Sequence, residues 1–173
     1  DSTIQIFGRH KRLRKLSKTG TIVMVPTHFS HLDSALIGWI ISHLGLPAFM
    51  YGAGLVLYNL KIFAYFFNSL GAYKVDRRKK HFLYLETLKT YTERAIVNGC
   101  HNLFYPGGTR SRSGSIEKNL KLGLLGSTLE AQKELNKENK KIYIVPVTFN
   151  YQFVLEGPAL INQYLSKNKL NKD

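Results

Sequence analysis

Short β-rich runs alternate with longer helix-like segments along most of this chain, and that alternation limits its fold more than any other feature. The runs are TIVMV (21–25), PAFMY (47–51), AYKV (72–75), NLFY (102–105) and IYIVPVTF (142–149). Between them, segments near 34–44, 55–69, 79–98 and 118–137 read as helical. In the third, Phe82, Leu85, Leu88, Ala95 and Ile96 recur at helical spacing. In the fourth, Gly123 and Gly126 weaken a pattern that is otherwise helical. Strands separated by helices pair in parallel, with the helices packed on the sheet. The expectation is an α/β fold with a largely parallel central sheet flanked by helices. The length of 173 residues fits one domain. That domain is placed at 21–166, after a basic amphipathic arm or helix (1–20) and before a polar, frayed tail (167–173).

Parallel sheets carry functional residues in the loops past the carboxyl ends of their strands. Three segments would therefore share one rim: PTHFSHLD after the first strand, DRRKK after the third and PGGTRSRSG after the fourth. In the first, His28 leaves the strand and Asp33 lies five residues on, where a helix begins. A carboxylate there can accept one ring N–H of the histidine, fixing its tautomer and leaving the other nitrogen as a base. The plainer alternative is that Asp33 only caps the helix and His28 is an ordinary loop histidine. A metal set of His28, His31 and Asp33 is also conceivable. It lacks evident partners in His10, His43, His81 and His101, so no metal is expected. His31 is expected to bond locally to the backbone.

In YPGGTRSRSG (105–114), two glycines let the backbone turn and approach an anion closely. Thr109, Ser111 and Ser113 offer hydroxyls, and Arg110 and Arg112 offer planar forks suited to phosphate oxygens. The nucleotide P-loop pattern is absent, so the expected cargo is a phosphate on a small substrate. A turn that is basic by accident is the alternative. In GAYKVDRRKK (71–80), Lys74, Arg77, Arg78, Lys79 and Lys80 form either a solvated face or a second arm of a phosphate clamp.

Charge and composition bound the partners. Lys and Arg number 25 against 11 acids, a net charge of +14. The partner expected of such an excess is anionic: nucleic acid, acidic headgroups or phosphorylated substrates. A generally basic surface is the bland reading. No nucleic-acid-binding motif is visible, so nucleic acid is not expected. Cys100 is the only cysteine, which excludes an intrachain disulfide and a cysteine zinc site. The basic and apolar stretch 3–16 reads as a solvated helix face or as an arm on an anionic membrane. Residues 34–60 lack Asp, Glu, Lys and Arg. Gly38, Gly45, Pro47, Gly52 and Gly54 break this stretch, so it reads as helix, turn, strand and loop rather than a membrane span. The apolar run 62–67 is either core or surface lying against a bilayer. No signal peptide is visible, and the start at Asp1 suggests a segment of a longer protein.

Together these parts describe a base without a protein nucleophile, a phosphate grip and apolar surfaces. The base must then activate a hydroxyl of a phosphorylated substrate, and attack on an activated acyl group fits. The motifs resemble the glycerolipid acyltransferase family. His28 to Asp33 matches its HxxxxD motif, and GAYKVDR is similar to its second block. YPGGTRSRSG is similar to its third block, and YIVPVTFNY, with Pro146, to its fourth. Order and spacing agree from residue 23 to about 158. SHLDS, AGLVL, SRSG and VPVTFNYQFVLEG lean toward the glycerol-3-phosphate branch. The 1-acylglycerol-3-phosphate acyltransferases are the near alternative, and an impaired lipid-binding module is a further one.

The resemblance implies that 21–166 is the acyltransferase domain, with His28 the base and Asp33 its orienter. It implies that Arg77 and Arg110 hold the acceptor phosphate, with Gly108 and Ser111 shaping the loop and Thr109 and Arg112 beside them. Pro146 would line the acyl side. The donor would be acyl-CoA or acyl carrier protein, and the acceptor glycerol 3-phosphate, or lysophosphatidate in the near alternative. No metal or bound cofactor is expected. The product, lysophosphatidate, would form at the cytoplasmic face of an anionic membrane. Where the family usually carries Glu in the third block this chain has Gly107, with no acid after it until Glu117. The expectation is that this branch uses the PGGTR form natively.

Overall fold

The computed structural model describes residues 4–30, 32–55, 71–76, 78–108, 120–152 and 157–170. In chain order the elements are α1 (His10–Ser17), β1 (Gly20–Pro26), α2 (Leu32–His43), β2 (Met50–Gly54), β3 (Ala72–Val75), α3 (Phe82–Val97), β4 (Asn102–Leu103), α4 (Gly123–Leu135), β5 (Lys141–Val147) and α5 (Gly157–Leu170). The strands form one five-stranded sheet in the order β3-β2-β4-β1-β5. Each neighbouring pair is parallel. The expected α/β architecture is therefore the one observed.

The sheet has an apolar layer on each side because β1 alternates. Ile22 and Met24 pack with Ile37, Ile41, Leu44, Phe49 and Leu103, on the α2 side. Val23 points the other way and packs with Ile96, Phe104 and Ala131, under α3 and α4. Ile22 and Val23 are fully buried, and truncating Ile22 to Ala is expected to cost about 2–5 kcal/mol. β1 runs beside β5 over its whole length, from Gly20 opposite Lys141 to Pro26 opposite Val147. Past the strand ends the same pair stays joined. Thr27 N donates to the Val147 carbonyl at 3.0 Å, and Phe149 N donates to Thr27 Oγ1 at 3.2 Å.

Three local differences from the sequence reading have physical causes. The second strand begins at Met50 rather than Pro47 and runs through Gly54. Its glycines are strand residues because they pair with β3, Gly52 opposite Tyr73 and Gly54 opposite Val75, and a Cβ on Gly52 would meet Val75 at 2.9 Å and the Tyr73 ring at 3.3 Å. The fourth strand is cut to Asn102–Leu103, although Phe104 N still donates to the Met24 carbonyl at 3.2 Å. The polar tail is not frayed from its start, since α5 continues to Leu170. The basic N-terminal stretch forms α1, which turns Leu13 toward the core and leaves Lys11, Arg12, Arg14 and Lys15 exposed. The uncharged stretch from residue 34 folds as α2, a turn and β2 as far as residue 55, and the apolar run 62–67 lies outside the described residues. Among the described residues no helix is long and apolar enough to cross a membrane.

Candidate active site

The segment after β1 is built around one buried carboxylate. Asp33 sits in the first turn of α2 and is fully buried. Its Oδ2 accepts the amides of Phe29 at 2.6 Å and Ser30 at 2.9 Å. Ser30 Oγ in turn accepts the Leu32 amide at 3.0 Å. Serine and aspartate thus share the helix start in the manner of a capping box, and the negative charge lies at the positive end of the helix dipole. The same Oδ2 lies 3.0 Å from His28 Nδ1. Capping the helix and orienting the histidine, which the sequence presents as alternatives, are both done by this one oxygen.

The carboxylate can only accept, so Nδ1 carries the proton and the lone pair of the His28 ring is at Nε2. Burial raises the Asp33 carboxyl. The hydrogen bonds from His28, Tyr151, Ser30 and Phe29 outweigh it and hold the group below its ordinary value of 3.8. The His28 side chain keeps 12% of its surface exposed while that of Asp33 keeps none. The pair is therefore a shielded carboxylate behind a partly accessible imidazole.

Two tyrosines adjoin the pair. Tyr105, at the start of the third motif, stacks on the His28 ring with centroids 4.1 Å apart and planes 23° from parallel. Its hydroxyl is 3.4 Å from Ser34 Oγ. Burial pushes the Tyr105 phenol up to about 12, with a smaller contribution from the Asp33 charge. Tyr151, just past β5, donates its hydroxyl to Asp33 Oδ1. Neither tyrosine stands out in the sequence. The signal for Tyr151 is its place in the YIVPVTFNY block, and for Tyr105 its place beside PGG, but their targets lie far away in the chain.

The third motif turns directly under this pair. Gly108 N donates to the Tyr105 carbonyl at 3.0 Å, and Gly108 adopts φ +70°, which favours glycine. Lys121 closes over the turn. Its amide donates to the Pro106 carbonyl at 2.7 Å, and a Cβ on Gly108 would meet its Cδ at 2.7 Å and its Nζ at 3.0 Å. A cation absent from the sequence reading therefore lies against this loop. Thr109, Arg110, Ser111 and Arg112, like Arg77 and His31, lie outside the described residues.

β1 and β4 are neighbours, so the His28 and Gly108 loops meet. β3 is at the sheet edge, three strand spacings or about 14 Å from β1. In the second block, Arg78 Nε lies 3.0 Å from Asp76 Oδ1, and the Lys79 ammonium sits 5.6 Å from the centre of the Tyr84 ring. Pro146 is exposed on edge strand β5. It is opposite Val25 of β1, which faces the α3 and α4 layer. Its link to the histidine site runs through the chain that follows it, which delivers Tyr151. Among the described residues no group of three or more His, Cys, Asp or Glu is placed to hold a metal. His101 is buried and structural: its Nδ1 accepts the Ile22 amide at 3.1 Å, and desolvation lowers its pKa.

Residues 9–150 match the model of the acyltransferase family. The glycerol-3-phosphate acyltransferase of Alteromonas mediterranea is 32% identical over 164 residues, which cover 94% of this chain and 20% of that protein. The protein of the same name from Baumannia cicadellinicola is 33% identical over 148 residues, 84% of this chain and 18% of that one. The one from Actinobacillus pleuropneumoniae is 35% identical over 150 residues, 84% of this chain and 17% of that one. The chain spans about a fifth of the length of these curated relatives.

Proposed function

The chain belongs to the acyltransferase family, and on that footing we propose that it transfers a fatty acyl group to a hydroxyl of glycerol 3-phosphate, giving lysophosphatidate. The donor is a thioester, either acyl-CoA or acyl carrier protein. The observation that carries this reading is the His28–Asp33 pair, a partly accessible imidazole whose Nδ1 is 3.0 Å from a fully buried carboxylate. The relatives named glycerol-3-phosphate acyltransferase support the choice of acceptor.

In this mechanism His28 Nε2 takes the proton of the acceptor hydroxyl as its oxygen attacks the thioester carbonyl. The C–O bond forms, and the tetrahedral adduct collapses with loss of the C–S bond. The imidazolium returns its proton to the departing thiolate. Asp33 stays ionised throughout and stabilises the transient imidazolium. No protein-bound acyl intermediate is needed. Arg77 and Arg110 hold the acceptor phosphate, with Gly108, Thr109, Ser111 and Arg112 forming the loop and Lys121 adding a cation beside Gly108. Pro146 lines the acyl side. The basic surface, including α1, holds the protein at the cytoplasmic face of an anionic membrane.

Thiol release from palmitoyl-CoA tests this reading, with glycerol 3-phosphate, lysophosphatidate or no acceptor, and with His28→Ala beside each. Turnover that requires glycerol 3-phosphate and His28 supports it. Turnover with lysophosphatidate alone would assign the chain to the phosphatidate-forming branch. Phospholipid binding unchanged by His28→Ala, with no turnover in the wild type, would make it a lipid-binding module instead.

A further inference from the structure

Asp33 Oδ2 serves the His28 ring and the amides of Phe29 and Ser30, while Oδ1 receives the Tyr151 hydroxyl. Among the described residues, the four donors divide by origin. Three come from the five residues before Asp33, and the fourth comes from a segment 118 residues away. Rotation of the carboxylate about Cβ–Cγ would exchange its two oxygens, and the local donors all act on one of them. The Tyr151 hydroxyl fixes the other. Tyr151 is held for this task by two bonds at the β1–β5 junction, Thr27 N to the Val147 carbonyl and Phe149 N to Thr27 Oγ1. Its ring packs against the core cluster that includes Met24 and Phe149.

We propose that Tyr151 is a positioning residue of the base: by donating to Asp33 Oδ1 it fixes the carboxylate plane in which Oδ2 accepts the His28 Nδ1–H. The catalytic consequence rests on reading His28 as the base, whereas the Tyr151–Asp33–His28 arrangement does not. Through this link the fourth motif acts on proton transfer as well as on the acyl group. In this bond the Tyr151 hydroxyl donates and the Asp33 carboxylate accepts. What the hydroxyl does is share the carboxylate charge. Among the described residues, the other titratable groups around the pair are Tyr105, stacked on His28, and Tyr51, near Tyr105.

Tyr151→Phe keeps the ring and removes the donor. Undispersed, the Asp33 charge favours the protonated imidazole, so the titration midpoint of the His28 ring, followed by NMR, is expected to move to higher pH. The acid limb of kcat/KM for glycerol 3-phosphate is expected to move with it. Loss of one charge-assisted hydrogen bond is expected to lower kcat about 10- to 100-fold, with KM for donor and acceptor within about twofold. Should Tyr151→Phe not fold, 3-fluorotyrosine at position 151 is the second variant. A stronger donor, it is expected to move the midpoint to lower pH. A midpoint that stays in place while kcat falls would reduce Tyr151 to a packing residue and overturn the proposal, as would unchanged kcat. A shifted midpoint in a protein that transfers no acyl group would uphold the Tyr151 link and remove the proposed reaction.

Discussion

The ring of Tyr105 lies 4.1 Å from that of His28, 23° from parallel, and its carbonyl accepts the Gly108 amide at 3.0 Å. One residue thus touches both His28 and the turn that begins the third motif. Its side chain limits the rotation of the imidazole while its backbone fixes the start of the loop. Tyr105→Phe keeps the stack and, among the described residues, loses a 3.4 Å contact to Ser34, so kcat/KM is expected to change less than about threefold. Tyr105→Ala removes the stack and is expected to lower kcat about tenfold or more. Steady-state kinetics of the two variants side by side separates ring from hydroxyl, and equal losses would contradict the stacking role.

His28→Ala is expected to lower acyl transfer by about 10²–10⁴-fold. The fold is expected to survive, because His28 lies in a loop and keeps part of its surface in solvent. Circular dichroism and thermal melting check the fold, and thiol release checks the activity. Full activity in a folded variant would remove His28 from the mechanism.

Lys121→Ala and Arg110→Ala are each expected to raise KM for the phosphorylated acceptor about tenfold, as loss of a charge-assisted contact to phosphate would. The donor KM is expected to change much less. If both constants rise together in either variant, that side chain is not reading the acceptor phosphate.

Asp33 contributes a pH-dependent share of stability. Its folded value lies below the ordinary 3.8, so the folded state binds fewer protons than the unfolded state between the two values. The contribution is complete above the unfolded value and is lost as pH falls through the folded one. Asp33→Asn is expected to cost about 3 kcal/mol near neutral pH, where the buried carboxylate and its donors are intact. The cost should shrink on the acid side of 3.8. Urea unfolding at pH 7 and in the acid range measures it, and a cost that does not vary with pH would separate Asp33 from acid stability.

The parallel sheet is legible in the sequence because its cause is local: apolar runs too far apart for hairpins, separated by helical periods. His28 and Asp33 are legible for the same reason, being five residues apart at a strand end. What escapes is set by distance along the chain. Tyr151 reaches Asp33 across 118 residues, and no periodicity announces such a contact. Lys121 lies beyond the third motif, and only the closure of the chain back to Pro106 brings it over Gly108. The extent of β2 is hidden differently. Gly52 and Gly54 have loop character by composition, but both pair with β3, and at Gly52 the Tyr73 and Val75 side chains occupy the space that a side chain would need.

The double duty of Asp33 Oδ2 has a kinetic corollary. The oxygen that aligns the imidazole is the one that accepts the Phe29 and Ser30 amides ahead of α2. Undocking of that helix therefore dismantles the His28–Asp33 pair, and the pair cannot assemble before the helix is seated. Heat or denaturant should extinguish turnover at the first cooperative opening of α2, ahead of global unfolding wherever the two separate. Amide exchange at Phe29 and Ser30 would then report the lifetime of the proposed activity more directly than the melting temperature does.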